Sequence, residues 1–263
     1  MTTTSAQKAP IPPGLISALR QARHVVVFTG AGVSAESGIP TFRDDATGLW
    51  TRYRAENMAT EEGFISDPSL SWGWHEWLRA NVMNAQPNPA HHAIAELARR
   101  VPRLTLITQN IDDLHERAGN QAPLHLHGSM FNFRCIDCWK PYTMPPGVPE
   151  GVGEGIRLTP PRCPHCGALI RPGIVWFGDA IPQDPWEAAM SATEREACDV
   201  FFSVGTSLII YPVAELPFEA ARRGATVVQV NPQPTKLDAV ANYNLHYPAA
   251  EVFPAILRAC WPD

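Results

Sequence analysis

Four of the six cysteines form two C-x-x-C pairs, Cys135-Ile136-Asp137-Cys138 and Cys163-Pro164-His165-Cys166, with 24 residues between them. Two thiolate pairs on knuckle turns suit a tetrahedral Zn2+ ion. The gap exceeds the usual spacing of about 15–20 residues, and the Pro/Gly segment from Pro145 to Gly155 can loop out to absorb the excess. A redox dithiol is the competing reading, but it needs only one pair and usually opens a helix. With Cys135, Cys138, Cys163 and Cys166 as ligands the shell is closed. The ion would be structural, and His165 would not be a ligand. Cys198 and Cys260 are left as ordinary buried residues.

A second pattern points to a nucleotide. The β-branched run Val25-Val26-Val27-Phe28 ends in Thr29-Gly30-Ala31-Gly32, and a short helix is expected from Ser34 to Gly38, stopped by Ile39-Pro40. Small residues at a strand-to-helix turn admit a pyrophosphate to the backbone N–H groups of the helix start. Alone, G-A-G is a weak cue. It lacks the third Gly of the dinucleotide fingerprint, and a tight turn with no ligand explains it equally well.

The elements that would position these residues follow from the pattern of apolar runs. Leu104 to Ile107, Val200 to Val204 and Thr226 to Val230 read as further buried strands, ending at Thr108-Gln109-Asn110, Gly205-Thr206-Ser207 and Asn231-Pro232. Helical spacing marks Leu15–Ala22, about 68–84, 88–100 and Leu216–Arg223, while 41–60 reads as a loop. Strands alternating with helices describe an α/β fold with a doubly wound parallel, Rossmann-like sheet, whose ligands bind at the carboxyl ends of strands. The expected organisation is a flexible leader over 1–13, a nucleotide-binding domain from 14–129 and 173–263, and an inserted zinc-binding small domain over 130–172.

Composition sets limits. The 263 residues are 45% apolar and 18% charged, which supports a core and argues against global disorder. A net charge of −5 gives no electrostatic reason to favour nucleic acid or an anionic membrane, which weighs against a nucleic-acid-binding zinc ribbon. No run approaches a membrane span, and residues 1–13 lack the apolar stretch of a secretory signal. A reducing, cytoplasmic setting is the resulting expectation, in which paired cysteines favour metal over disulfide.

Gly30-Ala31-Gly32 through Pro40-Thr41-Phe42-Arg43 resembles the N-terminal signature of the sirtuins, the NAD-dependent protein deacylases. Thr108-Gln109-Asn110-Ile111-Asp112, His127-Gly128, the four-Cys ribbon, Val175-Trp176-Phe177-Gly178-Asp179, Gly205-Thr206-Ser207 and Val230-Asn231 follow in that family's order. The resemblance implies that NAD and one structural zinc are the cofactors. It also implies that an acyl-lysine protein or peptide is the substrate, that nicotinamide leaves, and that the acyl group departs on ADP-ribose. His127 would be the base that activates a ribose hydroxyl. His125 is the competing candidate, and would share its face if this stretch is a strand.

The resemblance further implies that Asn110 and Asp112 hold the nicotinamide carboxamide, and that Gln109 lies near the ribose. Gly30, Ala31, Gly32, Ser34, Arg43, Gly205 and Thr206 would line the phosphate side, and Phe42 would cover the reactive ribose. Ser207 and Asn231 would contact adenosine. Val175, Phe177, Gly178 and Ile210 would flank an extended substrate paired by strand addition.

Within the family, Ala59 resembles the desuccinylase branch, whose acyl pocket is roomy. That branch's Tyr-x-x-Arg pair aligns with His75-Glu76-Trp77-Leu78, so the carboxylate-gripping Arg is replaced by Leu78. Arg79 is turned about 100° away on a helix. Acetyl and longer neutral acyl groups are therefore expected over succinyl. A sirtuin-like ADP-ribosyltransferase and a non-catalytic NAD sensor are the alternative functions, and a monomer is the expected state.

Overall fold

The computed structural model describes residues 9–41, 58–194 and 198–262. In chain order its strands are β1 (His24–Thr29), β2 (Arg103–Thr108), β3 (Leu124–His125), β4 (Gly128–Cys135), β5 (Pro141–Tyr142), β6 (Ile170–Ile174), β7 (Val200–Val204), β8 (Thr226–Val230) and β9 (Tyr243–Leu245). Its α-helices are α1 (Pro13–Gln21), α2 (Glu61–Ser66), α3 (Pro68–Asn84), α4 (Pro89–Arg100), α5 (Leu114–Arg117), α6 (Gln183–Ala192), α7 (Leu216–Arg222) and α8 (Ala249–Cys260).

All six residues of β1 are buried, as a strand covered on both faces requires. Side chains alternate across the sheet. Val25 and Val27 join Leu15 of α1, Ile94 of α4 and Phe253 of α8 in one apolar layer. Val26 and Phe28 join Ala189 of α6 and Leu216 and Ala220 of α7 in the other. The sheet is parallel throughout, in the order β3-β2-β1-β7-β8-β9. Chain order therefore reverses between β1 and β7, and a crevice opens at the carboxyl ends of those two strands. This is the doubly wound sheet expected from the sequence.

A second, antiparallel sheet runs β5-β4-β6. Its apolar cluster joins Cys135, Cys163 and Ile170 to Phe64 of α2 and to Trp72, Trp74 and Leu78 of α3. The Leu158 N–H donates to the Ser69 carbonyl at 3.0 Å, tying the loop of this module to α3.

Several elements are shorter or more irregular than period alone can detect. The turn after β1 is a 3-10 helix over Ala31–Ser37, closed by Gly38 at φ +82°. Helix α2 falls between the stretch read as loop and the first helical stretch after it, where Thr60 Oγ1 accepts from the Gly63 N–H at 3.0 Å. The Thr60-Glu61-Glu62 cap was its available signal. Of the expected loop over 41–60, residues 42–57 lie outside the described residues.

Candidate active site and metal centre

The four sulfurs of Cys135, Cys138, Cys163 and Cys166 all lie within 4.8 Å of one another. Cys135 and Cys166 are 3.4 Å apart and Cys138 and Cys163 are 3.6 Å apart, far beyond a disulfide bond of about 2.05 Å. Zinc–sulfur bonds of about 2.3 Å at tetrahedral angles put sulfurs ~3.8 Å apart, so the cluster fits one Zn2+ ion. Backbone N–H groups of Cys138 and His165 point at the sulfurs of Cys135 and Cys163, each at 3.4 Å. These knuckle bonds stabilise thiolate charge.

At the crevice, the turns after β1 and β7 lie against each other. A Cβ on Gly32 would come within 2.7 Å of the Gly205 Cα, and one on Gly205, at φ +59°, within 2.4 Å of the Val33 nitrogen. The glycines are thus needed for the two turns to meet, as well as for any approach to a phosphate. Gln109 Nε2 donates to Thr206 Oγ1 at 2.9 Å, linking the β2 turn to the β7 turn. Ser34 Oγ donates to Asp112 Oδ2 at 3.0 Å, and Asn110 Nδ2 donates to the Gly30 carbonyl at 3.2 Å and to Ser34 Oγ at 3.3 Å. Burial raises the Asp112 pKa against the bonds from Leu114 N–H and Ser34. Ser207 is half-buried in the β7 turn. Asn231 follows β8, its N–H bonded to the Leu245 carbonyl at 3.2 Å and its Nδ2 to the Gln233 carbonyl at 2.9 Å.

His91 and His115 lie behind this network, with ring centroids 4.8 Å apart. His91 Nε2 is 3.5 Å from Ser34 Oγ, and His115 Nε2 is 3.1 Å from Thr29 Oγ1. Their local sequence carries no sign of burial. Both are buried, at 0% and 1% exposure, and His115 Nδ1 lacks a partner among the described residues.

Hydrogen bonding separates the two candidate bases. His127 Nδ1 lies 2.9 Å from the Gln109 carbonyl. A carbonyl only accepts, so Nδ1 carries the proton and Nε2 offers a lone pair. Burial lowers the His127 pKa, with the Gln109 carbonyl pulling back, so the ring is neutral at pH 7. His125 Nδ1 likewise donates to the Asn110 carbonyl at 3.0 Å, but its Nε2 faces Glu116 Oε1 at 2.7 Å. Burial opposes its charge, yet Glu116 and the Asn110 carbonyl outweigh it and raise the pKa. An imidazolium donating from both nitrogens has no lone pair with which to act as a base. β3 ends at His125, so strand alternation does not relate the two rings.

Gly128 has φ +73°, and a Cβ there would fall 2.2 Å from the Gly173 carbonyl oxygen of β6. The close approach of β6 is sufficient reason for glycine next to His127.

From His127 the chain leads to the segment around Trp176. The His127 carbonyl accepts from the Val175 N–H at 2.9 Å, and the Ala59 carbonyl accepts from the Phe177 N–H at 2.8 Å. Between them Trp176 turns inward, its ring 5.2 Å from Phe64 and 6.0 Å from His75. Arg171, 1% exposed, stacks 3.5 Å from the Trp176 ring and pairs with Asp179 at 2.6 Å. Asp179 Oδ2 also accepts from the Trp176 N–H at 3.0 Å, closing the turn at Gly178. Leu78 is buried in the same cluster. Arg79 is committed elsewhere, to Glu76 at 2.6 Å and to the Gly147 carbonyl at 2.7 Å.

The Sir2 family pattern matches residues 30–212. A protein of Methylococcus capsulatus named NAD-dependent protein deacylase is 58% identical over 245 residues, 93% of this chain and 95% of its own length. NAD-dependent protein deacylase 1 of Pseudomonas aeruginosa is 50% identical, over 94% of this chain and 98% of its own. The chain belongs to the Sir2 family. A solved Sir2 homologue–NAD complex superposes with a TM-score of 0.84 at 41% identity, covering 97% of this chain and 96% of that one. A Sir2 mutant solved with a p53 peptide and NAD gives 0.79 at 31%, covering 93% and 96%.

In this sirtuin the fold gathers Gly30, Ala31, Gly32, Ser34, Gln109, Asn110, Asp112, Gly205, Thr206 and Ser207 at the carboxyl ends of β1, β2 and β7. Phe42 and Arg43 lie outside the described residues. Phe177 is 44% exposed, opposite in sequence role to the open segment Ile209–Tyr211 with half-buried Ile210 between. Arg171 was missed; its charge inside an apolar stretch, Leu169-Ile170-Arg171-Pro172, was the available signal. Among the described residues no helix is long and apolar enough to cross a membrane.

Proposed function

We propose that the protein is an NAD-dependent protein lysine deacylase that releases nicotinamide and the O-acyl ester of ADP-ribose, with His127 as its base. The observation that carries this is the His127 tautomer. The Gln109 carbonyl holds the Nδ1 proton at 2.9 Å and leaves Nε2 as the acceptor, while burial keeps the ring neutral at pH 7. Bound in the crevice, NAD supplies a ribose carbon that loses nicotinamide to an acyl-lysine oxygen, and a ribose hydroxyl for the base to deprotonate.

The chain's own residues divide the remaining work. Gly30 to Ser34 and Gly205 to Ser207 would line the phosphates and adenosine ribose, with Asn231 on the adenine side. Asn110 and Asp112 are held rigidly enough through Ser34 to orient a carboxamide. Phe42 and Arg43 would close over the ribose and exclude water. The N–H groups of Val175, Trp176 and Phe177 are already used internally, so an added peptide strand would pair with Gly178 and with the segment around Ile210.

The acyl chain would pass between Ala59, His75, Leu78 and Trp176. With Leu78 in place of an arginine and Arg79 bound to Glu76, this pocket has no free fork for a carboxylate among the described residues. Acetyl and longer neutral acyl groups are its expected substrates. The enzyme acts as a cytoplasmic monomer in this reading, with residues 130–172 as its zinc module and 14–129 with 173–263 as its NAD domain. The test is product analysis with one acyl-peptide and NAD. Peptide-dependent nicotinamide release with acyl-ADP-ribose supports deacylation. An ADP-ribosylated protein product supports transfer instead, and no turnover supports a sensor.

A further inference from the structure

His75 is buried at 4% exposure and uses only one of its two ring nitrogens. Nδ1 lies 2.7 Å from the Ser71 carbonyl one turn back on α3. That carbonyl can only accept, so Nδ1 carries the proton and Nε2 is a bare acceptor. Burial pushes the ring pKa down to about 4, and the neutral form persists at pH 7. Nε2 has no hydrogen-bond partner among the described residues.

Trp176 Nε1 is a second buried polar atom with no partner among them, on the ring 6.0 Å from His75. It can only donate. An unused acceptor and an unused donor thus sit on neighbouring rings of one apolar cluster, with Phe64, Leu78 and Met58. Leaving buried polar groups unpaired is unfavourable, and a guest that pairs both relieves it. A hydroxyl is the small group that donates and accepts at once. A carboxylate is a poorer guest, because it is acceptor-only at neutral pH and would meet the Nε2 lone pair. The nearby Arg171 is paired through one Nη with Asp179 at 2.6 Å.

We infer that His75 and Trp176 make the acyl pocket selective for hydroxyacyl-lysine over the matching unsubstituted acyl-lysine. The inference rests on the reading that places the acyl chain beside His75. Its test uses one peptide carrying butyryl, 2-hydroxybutyryl, 3-hydroxybutyryl or 4-hydroxybutyryl lysine, with succinyl lysine as a further arm.

In the wild type, at least one hydroxylated isomer exceeds butyryl in kcat/KM by about 5- to 10-fold, the size of one net hydrogen bond. In His75→Phe that ratio falls to one or below, and in His75→Gln, which keeps an acceptor, part of it returns. If His75→Phe does not fold, the ratio in Trp176→Phe decides, and it falls there too. No isomer above butyryl in the wild type overturns the inference. A ratio unchanged in the folded variants overturns it as well, as does succinyl as the best substrate. Absence of any NAD-dependent turnover, butyryl included, would instead contradict the deacylase reading.

Discussion

At the carboxyl ends of β1 and β2, Ser34, Asn110 and Asp112 hand hydrogen bonds from one to the next, and Asn88 ties the same turn to α4 through the Val33 carbonyl at 2.7 Å. Around Trp176, by contrast, His75 Nε2, Trp176 Nε1 and Arg171 Nε are buried without partners among the described residues. A satisfied network fixes atoms in place, which suits a reagent that must be held in one reactive pose. Unsatisfied atoms keep hydrogen bonds in reserve for a guest. Under the proposed function, the crevice would suit a constant ligand and the surroundings of Trp176 a variable one. His115 Nδ1 and Asn120 Oδ1 are the exceptions behind the crevice.

The largest expected break in this comparison comes from the metal. Structural zinc in small modules contributes about 10–16 kcal/mol of apparent binding free energy, and β4, which ends at Cys135, pairs with β6, which leads to Trp176. Chelation should abolish turnover and expose Trp176 to solvent, with one zinc released per chain. The six-stranded sheet should persist in circular dichroism. Tryptophan fluorescence that stays unchanged after zinc loss would detach the acyl side from the ribbon.

Next in size is Arg171→Met, which leaves Asp179 facing only Arg134, at 3.8 Å. Breaking a buried pair from one side costs about 3–5 kcal/mol, measured by denaturant unfolding. Adding Asp179→Asn should recover part of the loss. The double variant should still bind acyl-peptide more weakly, because the Trp176 N–H bond to Asp179 is altered.

Acid should weaken both sides together. His75 and His91 have folded pKa values driven from 6.5 to about 4, chiefly by burial. The unfolded chain binds more protons between those values, so stability is full above pH 6.5 and is lost as pH falls towards 4. Each ring contributes up to about 3 kcal/mol to that loss. Urea midpoints across this range test it, and a midpoint flat from pH 7 to pH 4 would contradict the buried neutral rings. Gly32→Ala is smaller, about 1–3 kcal/mol, because the Gly205 backbone 2.7 Å from the new Cβ must give way. It should raise the KM for NAD while leaving the acyl-group preference unchanged.

The elements that place the crevice were legible because their signals are local. Val25–Phe28, Val200–Val204 and Thr226–Val230 are runs buried on both faces, and the paired cysteines carry their spacing with them. What was not legible depends on contacts made across the chain. Gly32 reads as a phosphate turn until Gly205 is seen packed against it. His91 and His115 carry no local signal of burial, and only α4 and α5 bring them behind Ser34. β3 and β9 are too short for a period of two to register. The choice between His125 and His127 needed Glu116, which lies 9 residues before His125 in sequence but 2.7 Å away in the fold.

The account turns on His127 as the base, and its most direct measurement is the rate of acyl-ADP-ribose formation by His127→Ala at saturating NAD and acyl-peptide. The account predicts a loss of about 100- to 10,000-fold, the usual contribution of a general base. It also predicts a wild-type acid limb below pH 6.5, because burial lowers the ring's pKa. A folded His127→Ala enzyme that retains turnover within a few-fold of wild type would contradict it.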